Sequence, residues 1–226
     1  MAQRKKLIKK YFRPKSSVDI GCGTGRTTIP LHKMGYKVVG IDMVSLMIKN
    51  AKKIAKAKRL KIRYEVGDAT KLKFTDNSFD NALFSYNGWA QIPGRKNRQK
   101  ALQEIFRVLR PNGYFIFTTH VRGFRLLWVK QWIKLFLLKP LGFKIREIEV
   151  GDRFFKDRKR EEQYINIPAK RDVLCQIFRA GFELVYNEKD NVISPKDKNN
   201  IIQCFTSAKN TLLKIKEQDK IVITWF

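Results

Sequence analysis

Cysteine is scarce in this chain, and Cys22, Cys175 and Cys204 are all it has. An odd number at wide spacing argues against a disulfide framework or a zinc cluster and fits a reducing, cytoplasmic setting. Long hydrophobic runs are missing too. The most apolar stretch, 124–138, is interrupted by Arg125, Lys130 and Lys134 and is too short to span a bilayer. The basic N-terminus has no apolar segment behind it to complete an export signal, so a soluble protein is expected. Acidic residues are few: 20 against 48 lysines and arginines, a net charge of +28. That balance raises RNA or anionic membrane as a partner. Much of it, such as Lys49, Lys52, Lys53 and Lys56, reads as the solvated face of a helix. From Asn81 to Arg146, however, Glu104 is the only acid among many cations, a bias that bears on the substrate.

Against these absences stands a regular alternation of short apolar runs and amphipathic stretches. Ser17 to Ile20 reads as a strand entering a glycine-rich turn, and Thr27 to Met34 as a helix closed by Gly35. Strands follow at Lys37 to Ile41, Ile62 to Val66, Phe79 to Tyr86 and Tyr114 to His120, with helices at Ser45 to Lys58 and Gln99 to Leu109 between them. Pro111, Asn112 and Gly113 read as the turn into the fifth strand. Such alternation implies a parallel sheet with helices on both faces. Phe124 to Leu138 then reads as a helix, Lys144 to Val150 and Gln163 to Ile167 as strands around a charged turn, and Ala169 to Ala180 as a helix. Phe182 to Asn187 and Lys220 to Trp225 read as closing strands, and Lys6 to Phe12 as a short helix over the ligand edge. At 226 residues this is one domain: a core at 16–120, an insertion at 122–167, and completion of the sheet at 168–226.

The turn between first strand and first helix, VDIGCGTGRTT from Val18 to Thr28, lets backbone amides approach an anionic ligand. A dinucleotide fingerprint would place its third glycine where Arg26 stands; here the third glycine comes early, at Gly25, which argues against NAD. Asp19, Gly21, Gly23 and Gly25 instead form a D-x-G-x-G-x-G element. The chain thereby resembles the class I S-adenosylmethionine-dependent methyltransferases, of the methyltransferase type 11 group, strongly over Ser17 to His120. The resemblance implies a Rossmann-like, doubly wound α/β fold with a mostly parallel seven-stranded sheet and a lid insertion after the fifth strand. It also implies S-adenosyl-L-methionine as cofactor. Asp42, ending the second strand, would accept the ribose hydroxyls, a task suited to a carboxylate. Met43 would lie against adenine, Asp68 would receive its amino group, and the Ala69 amide would meet a ring nitrogen. Cys22, within the glycine turn, and Ser85, at the end of the fourth strand, complete the expected cofactor set.

Methyl transfer is an in-line displacement that asks the protein mainly to position the acceptor and exclude water. Where a base is needed, the candidates are His120, Tyr86 and Asn87, with Trp89 as a further pocket residue, because ligands of open α/β sheets bind at the carboxyl ends of strands. The fourth strand ends in Ser85, Tyr86, Asn87 and Gly88, without the N/D-P-P-Y/F element that resembles amino methylation of adenine or glutamine. No cysteine lies near it to attack a pyrimidine. Both omissions favour a small-molecule acceptor, anionic or hydrophobic, over RNA. On a helical wheel Trp128, Val129, Trp132, Ile133 and Phe136 share one face opposite Lys130, Gln131 and Lys134, so 124–138 either covers a pocket or lies in a membrane interface. Three functions compete: a small-molecule or quinone-type methyltransferase, an RNA methyltransferase, and a cofactor-binding interaction protein without turnover.

Overall fold

The computed structural model describes residues 2–12, 15–123, 126–156, 162–187 and 220–225. Its central sheet starts from β1 (Ser16–Ile20), flanked by β2 (Lys37–Asp42) and β4 (Phe79–Phe84), with β3 (Arg63–Val66) outside β2 and β5 (Leu109–Thr119) outside β4. The order β3-β2-β1-β4-β5 reverses direction of growth at β1, leaving a crevice at the carboxyl ends of β1 and β4. Beyond β5 the order continues through β9 (Lys220–Trp225) to β8 (Glu183–Asn187), and every described pairing in the sheet is parallel. Strands buried on both faces read as near-continuous apolar runs, which is why β4 and β5 were legible.

Alternate residues on these strands serve opposite layers. Ala82, Phe84, Phe115 and Phe117 pack with Leu102 and Ile105 of α4 (Arg95–Val108) and Val173 and Ile177 of α6 (Lys170–Arg179). Leu83 and Ile116 face the other way, onto Leu7 and Ile8 of α1 (Ala2–Tyr11) and Leu31 of α2 (Thr28–Lys33). Ile48, Ala51 and Ala55 of α3 (Ser45–Ala57) close a third cluster on Tyr64 and Cys22. The expected N-terminal helix therefore covers a sheet face, not the ligand edge: its Tyr11 ring lies 5.8 Å from that of Tyr114, at the start of the paired part of β5. The expected Pro111 to Gly113 turn is a bulge, since Leu109 pairs with Phe79 and the register resumes only at Tyr114 opposite Asn81.

Glu104 ties α4 to the loop beyond β3, accepting from the Leu72 amide at 2.8 Å while Arg107 donates to it at 2.8 and 2.9 Å. The Arg107 hydrogen bonds hold the Glu104 carboxyl below the usual carboxylate range. This contribution to stability is present above the unfolded-state pKa and is lost as pH falls through the lowered folded value. Glu104→Gln is accordingly expected to lose about 1 kcal/mol at neutral pH and to flatten the acid limb of the melting temperature against pH. Parallel acid limbs for the two proteins would contradict this assignment.

The segment 122–167 departs most from expectation. Lys144 to Val150 is not a strand; β6 (Asp152–Lys156) pairs antiparallel with β7 (Glu162–Asn166) instead. The buried Asp152 carboxylate accepts from the amides of Ile148 (2.8 Å) and Glu149 (3.0 Å), which folds that stretch into a turn and removes its amides from any ladder. Tyr164 and Asn166 donate to the same carboxylate. The helix is α5 (Leu126–Ile133), continued by a π-helical turn at Lys134–Leu138. Its polar Gln131 points inward, donating to the Asp152 carbonyl at 2.9 Å and accepting from the Gly151 amide at 2.9 Å. The charged turn expected at Lys156 to Glu162 lies mostly outside the described residues.

Candidate functional site

The glycine turn rises from β1 into α2 at the crevice. Gly23 and Gly25 adopt φ of +55° and +90°, backbone that an L side chain rarely takes. Asp19 lies beneath the turn, fully buried, and its Oδ2 accepts from the hydroxyls of Thr27 and Thr28 at 2.6 Å each. It thus shapes the loop from below. Asp42 does the same from the side: Oδ2 accepts from the Gly23 amide at 2.8 Å and Oδ1 from the Val44 amide at 2.9 Å. A carboxylate offers about four lone-pair sites, so both oxygens retain capacity for a diol. Asp68 lies beyond β3, its carboxylate taking the Thr70 amide and hydroxyl at 2.8 Å each. Met43 is 74% exposed beside Asp42, an apolar surface at the edge of the crevice, and Ala69 is half-buried against the core.

Cys22 is buried within the turn. Burial pushes its thiol pKa up, and the Asp19 and Asp42 carboxylates push it further, so it is a packing residue and not a nucleophile. Tyr64, which the sequence did not single out, supports the same loop from below. A Cβ at Gly40 would meet its ring at 2.7 Å, and one at Gly25 would strike its hydroxyl. Burial raises the Tyr64 phenol to about 12 and keeps it neutral. The available signal was Gly40 itself, a glycine inside a strand, which marks close approach by a neighbour.

The end of β4 makes the second wall. Tyr86 and Asn87 carry φ of +55° and +59°, two consecutive left-handed residues that are not glycine. Asn87 is pinned there by its amide, which donates to Thr118 Oγ1 at 3.1 Å. Its Nδ2 lies 3.0 Å from His120 Nε2, so an amide and an imidazole 33 positions apart form a polar pair at the carboxyl ends of β4 and β5. Arg26, the residue that breaks the dinucleotide spacing, lays its guanidinium 4.0 Å over the Tyr86 ring and joins the glycine turn to this wall. Phe84 also bridges the two, since a Cβ at Gly21 would meet its ring at 2.9 Å. Trp89, expected in the pocket, is instead fully buried in the core, its indole donating to the Arg98 carbonyl at 3.1 Å. Its ring meets that of Phe117 edge-on at 5.5 Å between centroids.

The residues fit S-adenosylmethionine on three grounds. A Cβ on Gly23 would meet nothing within 4 Å, so the turn borders open space. Ser85 Oγ and Asn87 Oδ1 are buried at the crevice with no hydrogen-bond partner in the protein. Two carboxylate acceptors stand at the ends of adjacent strands, Asp42 and Asp68, suited to an adenosyl diol and amine. Next to it the chain runs from His120 into Arg122, whose guanidinium donates to the Val150 carbonyl at 2.6 Å. There a groove of ≈ 490 Å³ is lined by Arg122, Trp128, Val129, Trp132, Val150 and Ala169 among others. Buried Arg98, paired with Glu149 at 2.8 Å, ties this segment to α4. Among the described residues no cluster of side chains could hold a metal.

Residues 18–117 match the family model described as a methyltransferase domain. The chain is 35% identical over 107 residues to a demethylmenaquinone methyltransferase of Deinococcus radiodurans, covering 46% of this chain and 42% of that protein. It is 32% identical over 111 residues to norajmaline N-methyltransferase of Rauvolfia serpentina, covering 48% of this chain and 37% of that protein. The chain thus spans less than half the length of either relative. Among solved structures, a SAM-dependent methyltransferase of Methanosarcina mazei superposes with a TM-score of 0.66 at 26% identity, over 78% of this chain and 84% of that one. Fold, glycine turn and these likenesses agree: over residues 18–117 the chain is similar to the methyltransferase domain, and as a whole it is similar in fold to a SAM-dependent methyltransferase.

Proposed function

We propose that this protein transfers the methyl group of S-adenosylmethionine to a small hydrophobic acceptor. The observation that carries the proposal is the juxtaposition, across one crevice, of the Gly21 to Gly25 turn with its Asp42 partner and the Asn87–His120 pair. When bound, the cofactor supplies a methyl group on a sulfonium, a carbon already activated for displacement. Asp42 accepts the ribose hydroxyls, Asp68 and the Ala69 amide read the adenine, and Met43 lies against its ring. The Gly21 to Gly25 turn borders the amino-acid end, with Ser85 beside it, while Asp19 holds the turn in shape. Tyr86, Asn87 and His120 border the acceptor; with Asn87 Nδ2 donating to Nε2, the His120 proton sits on Nδ1, and where the acceptor must lose a proton Nε2 takes it in exchange for the Asn87 hydrogen bond.

The segment 122–167 serves as the substrate cover of a seven-stranded methyltransferase core. Its groove is mostly apolar with one guanidinium, which suits a hydrophobic molecule bearing an electron-rich oxygen. The named relatives act on a quinone precursor and on an alkaloid, so a ring acceptor of quinone type is the favoured class. The net charge of +28 favours a second reading, RNA. Incubation with methyl-labelled cofactor and the lipid-soluble, aqueous small-molecule and RNA fractions of a cell extract separates the two. Label is expected in the lipid-soluble fraction, and His120→Ala should slow its transfer about a hundredfold with cofactor affinity unchanged. Label in RNA alone, or in no fraction, refutes the proposal.

A further inference from the structure

The helix α5 is built inside out. Its inward positions are the polar Gln131 and, one turn on, Leu135, while Trp132, Ile133, Phe136 and Leu137 are 49%, 39%, 58% and 53% exposed. This reverses what an amphipathic helix does when it covers a pocket, and the cause is local: the Gly151–Asp152 backbone needs Gln131 as its hydrogen-bond partner. The apolar surface continues past the helix through Leu141 and Phe143, 74% and 59% exposed. Monomeric soluble proteins rarely present a contiguous apolar patch of this kind to water. The Trp132 and Phe136 rings lie 5.2 Å apart, a paired aromatic surface turned outward.

The charge around the patch says what it meets. Between Arg122 and Arg146 the sequence contains no acid, and Lys130, Lys134, Lys139 and Lys144 are all exposed among the apolar residues. An exposed aromatic and aliphatic face flanked by lysines matches a bilayer interface, where the rings enter the headgroup boundary and the long lysine stems carry their ammonium groups to anionic headgroups. A protein partner would require a facing apolar surface of matching shape and a row of acids. Here the twenty acids of a chain of net charge +28 make a second copy a poor electrostatic match. No described helix is long and apolar enough to cross a membrane, so the contact is peripheral.

We propose that the α5 surface, from Leu126 to Phe143, docks on a lipid bilayer carrying anionic headgroups. The neighbouring groove of Arg122, Trp128 and Trp132 then opens next to the membrane, where a hydrophobic acceptor resides. The biological purpose rests on the hydrophobic-acceptor reading, but docking requires no turnover, so the two fail separately.

The test is flotation of the full chain with vesicles of phosphatidylcholine alone and of phosphatidylcholine with phosphatidylglycerol, with cofactor binding by calorimetry as the check on folding. Binding to the anionic vesicles is expected to exceed that to neutral ones at least tenfold and to weaken as salt rises. Phe136→Ser with Leu137→Ser, at exposed positions, should cut anionic-vesicle binding about tenfold with cofactor affinity retained. Lys130→Glu with Lys134→Glu should do the same through charge alone. Equal binding to both vesicle types, or none to either at low salt, overturns the proposal. So does self-association in sedimentation that the Phe136 and Leu137 changes abolish while vesicle binding is untouched.

Discussion

Asp42→Ala is expected to weaken S-adenosylmethionine binding by about a hundredfold or more while the fold survives. Two charge-assisted hydrogen bonds to a ribose diol contribute roughly 1.5 kcal/mol each, and their joint loss corresponds to about two decades of affinity. The side chain has a second task, because it accepts from the amides of Gly23 and Val44 and so holds the glycine turn against the start of α3. Removing it loosens the loop as well as the ligand, which makes a hundredfold the lower end of the expectation. Asp42 is only half-buried, so stability should change little. Asp42→Asn keeps one acceptor and can donate where a hydroxyl must be received, and an intermediate loss is expected. Isothermal calorimetry against thermal melting separates the two effects. Unchanged affinity for the alanine variant would remove Asp42 from the site and with it the placement of the adenosyl group.

The second large effect divides two glycines of the same turn. Gly25→Ala should lower stability by about 3 kcal/mol, near 10 °C in melting temperature for a chain of this size. Left-handed backbone at φ +90° disfavours any Cβ, and the added methyl would strike the hydroxyl of Tyr64, whose ring is packed against Gly40 and cannot withdraw. Gly23→Ala carries only the conformational cost, about 1 kcal/mol, because nothing lies within 4 Å of its Cβ position. That open space is where the proposed cofactor lies, so the Gly23 variant should melt nearly as the parent does and yet bind cofactor poorly. Paired melting and calorimetry read both predictions at once. Equal losses of melting temperature in the two variants would show that the turn is limited by its backbone alone and would contradict the assignment of the space beside Gly23.

Much of this site was legible because its requirements are local. Positive φ at Gly23 and Gly25, a carboxylate at the carboxyl end of β2 and another after β3 are conditions that a strand, turn and helix impose within a few residues. Asp19 was legible as a member of the motif but not in its manner of acting, since only the fold shows its carboxylate turned under the loop toward Thr27 and Thr28. Trp89 was misplaced for a related reason: position near Asn87 in the chain does not say whether a ring lines the crevice or joins Phe117 in the core. The strand expected at Lys144 to Val150 has the right alternation, yet Asp152 captures its amides, a competition between side chain and ladder that periodicity does not register.

The sequence by itself determined the layered α/β arrangement and the glycine turn at the end of β1. These two follow from backbone geometry and from the alternation of buried and solvated residues, which repeat over short distances; the class of cofactor was implied by the resemblance that the turn, Asp42 and Asp68 carry. The tertiary structure alone decided that Asn87 meets His120, that Arg26 rests on Tyr86, and that α5 turns Gln131 inward and its aromatic face out. Each of these depends on strand register and on polar groups brought in from distant parts of the chain. Side-chain direction there is set by which neighbour must be satisfied, and that neighbour is absent from any local window of sequence.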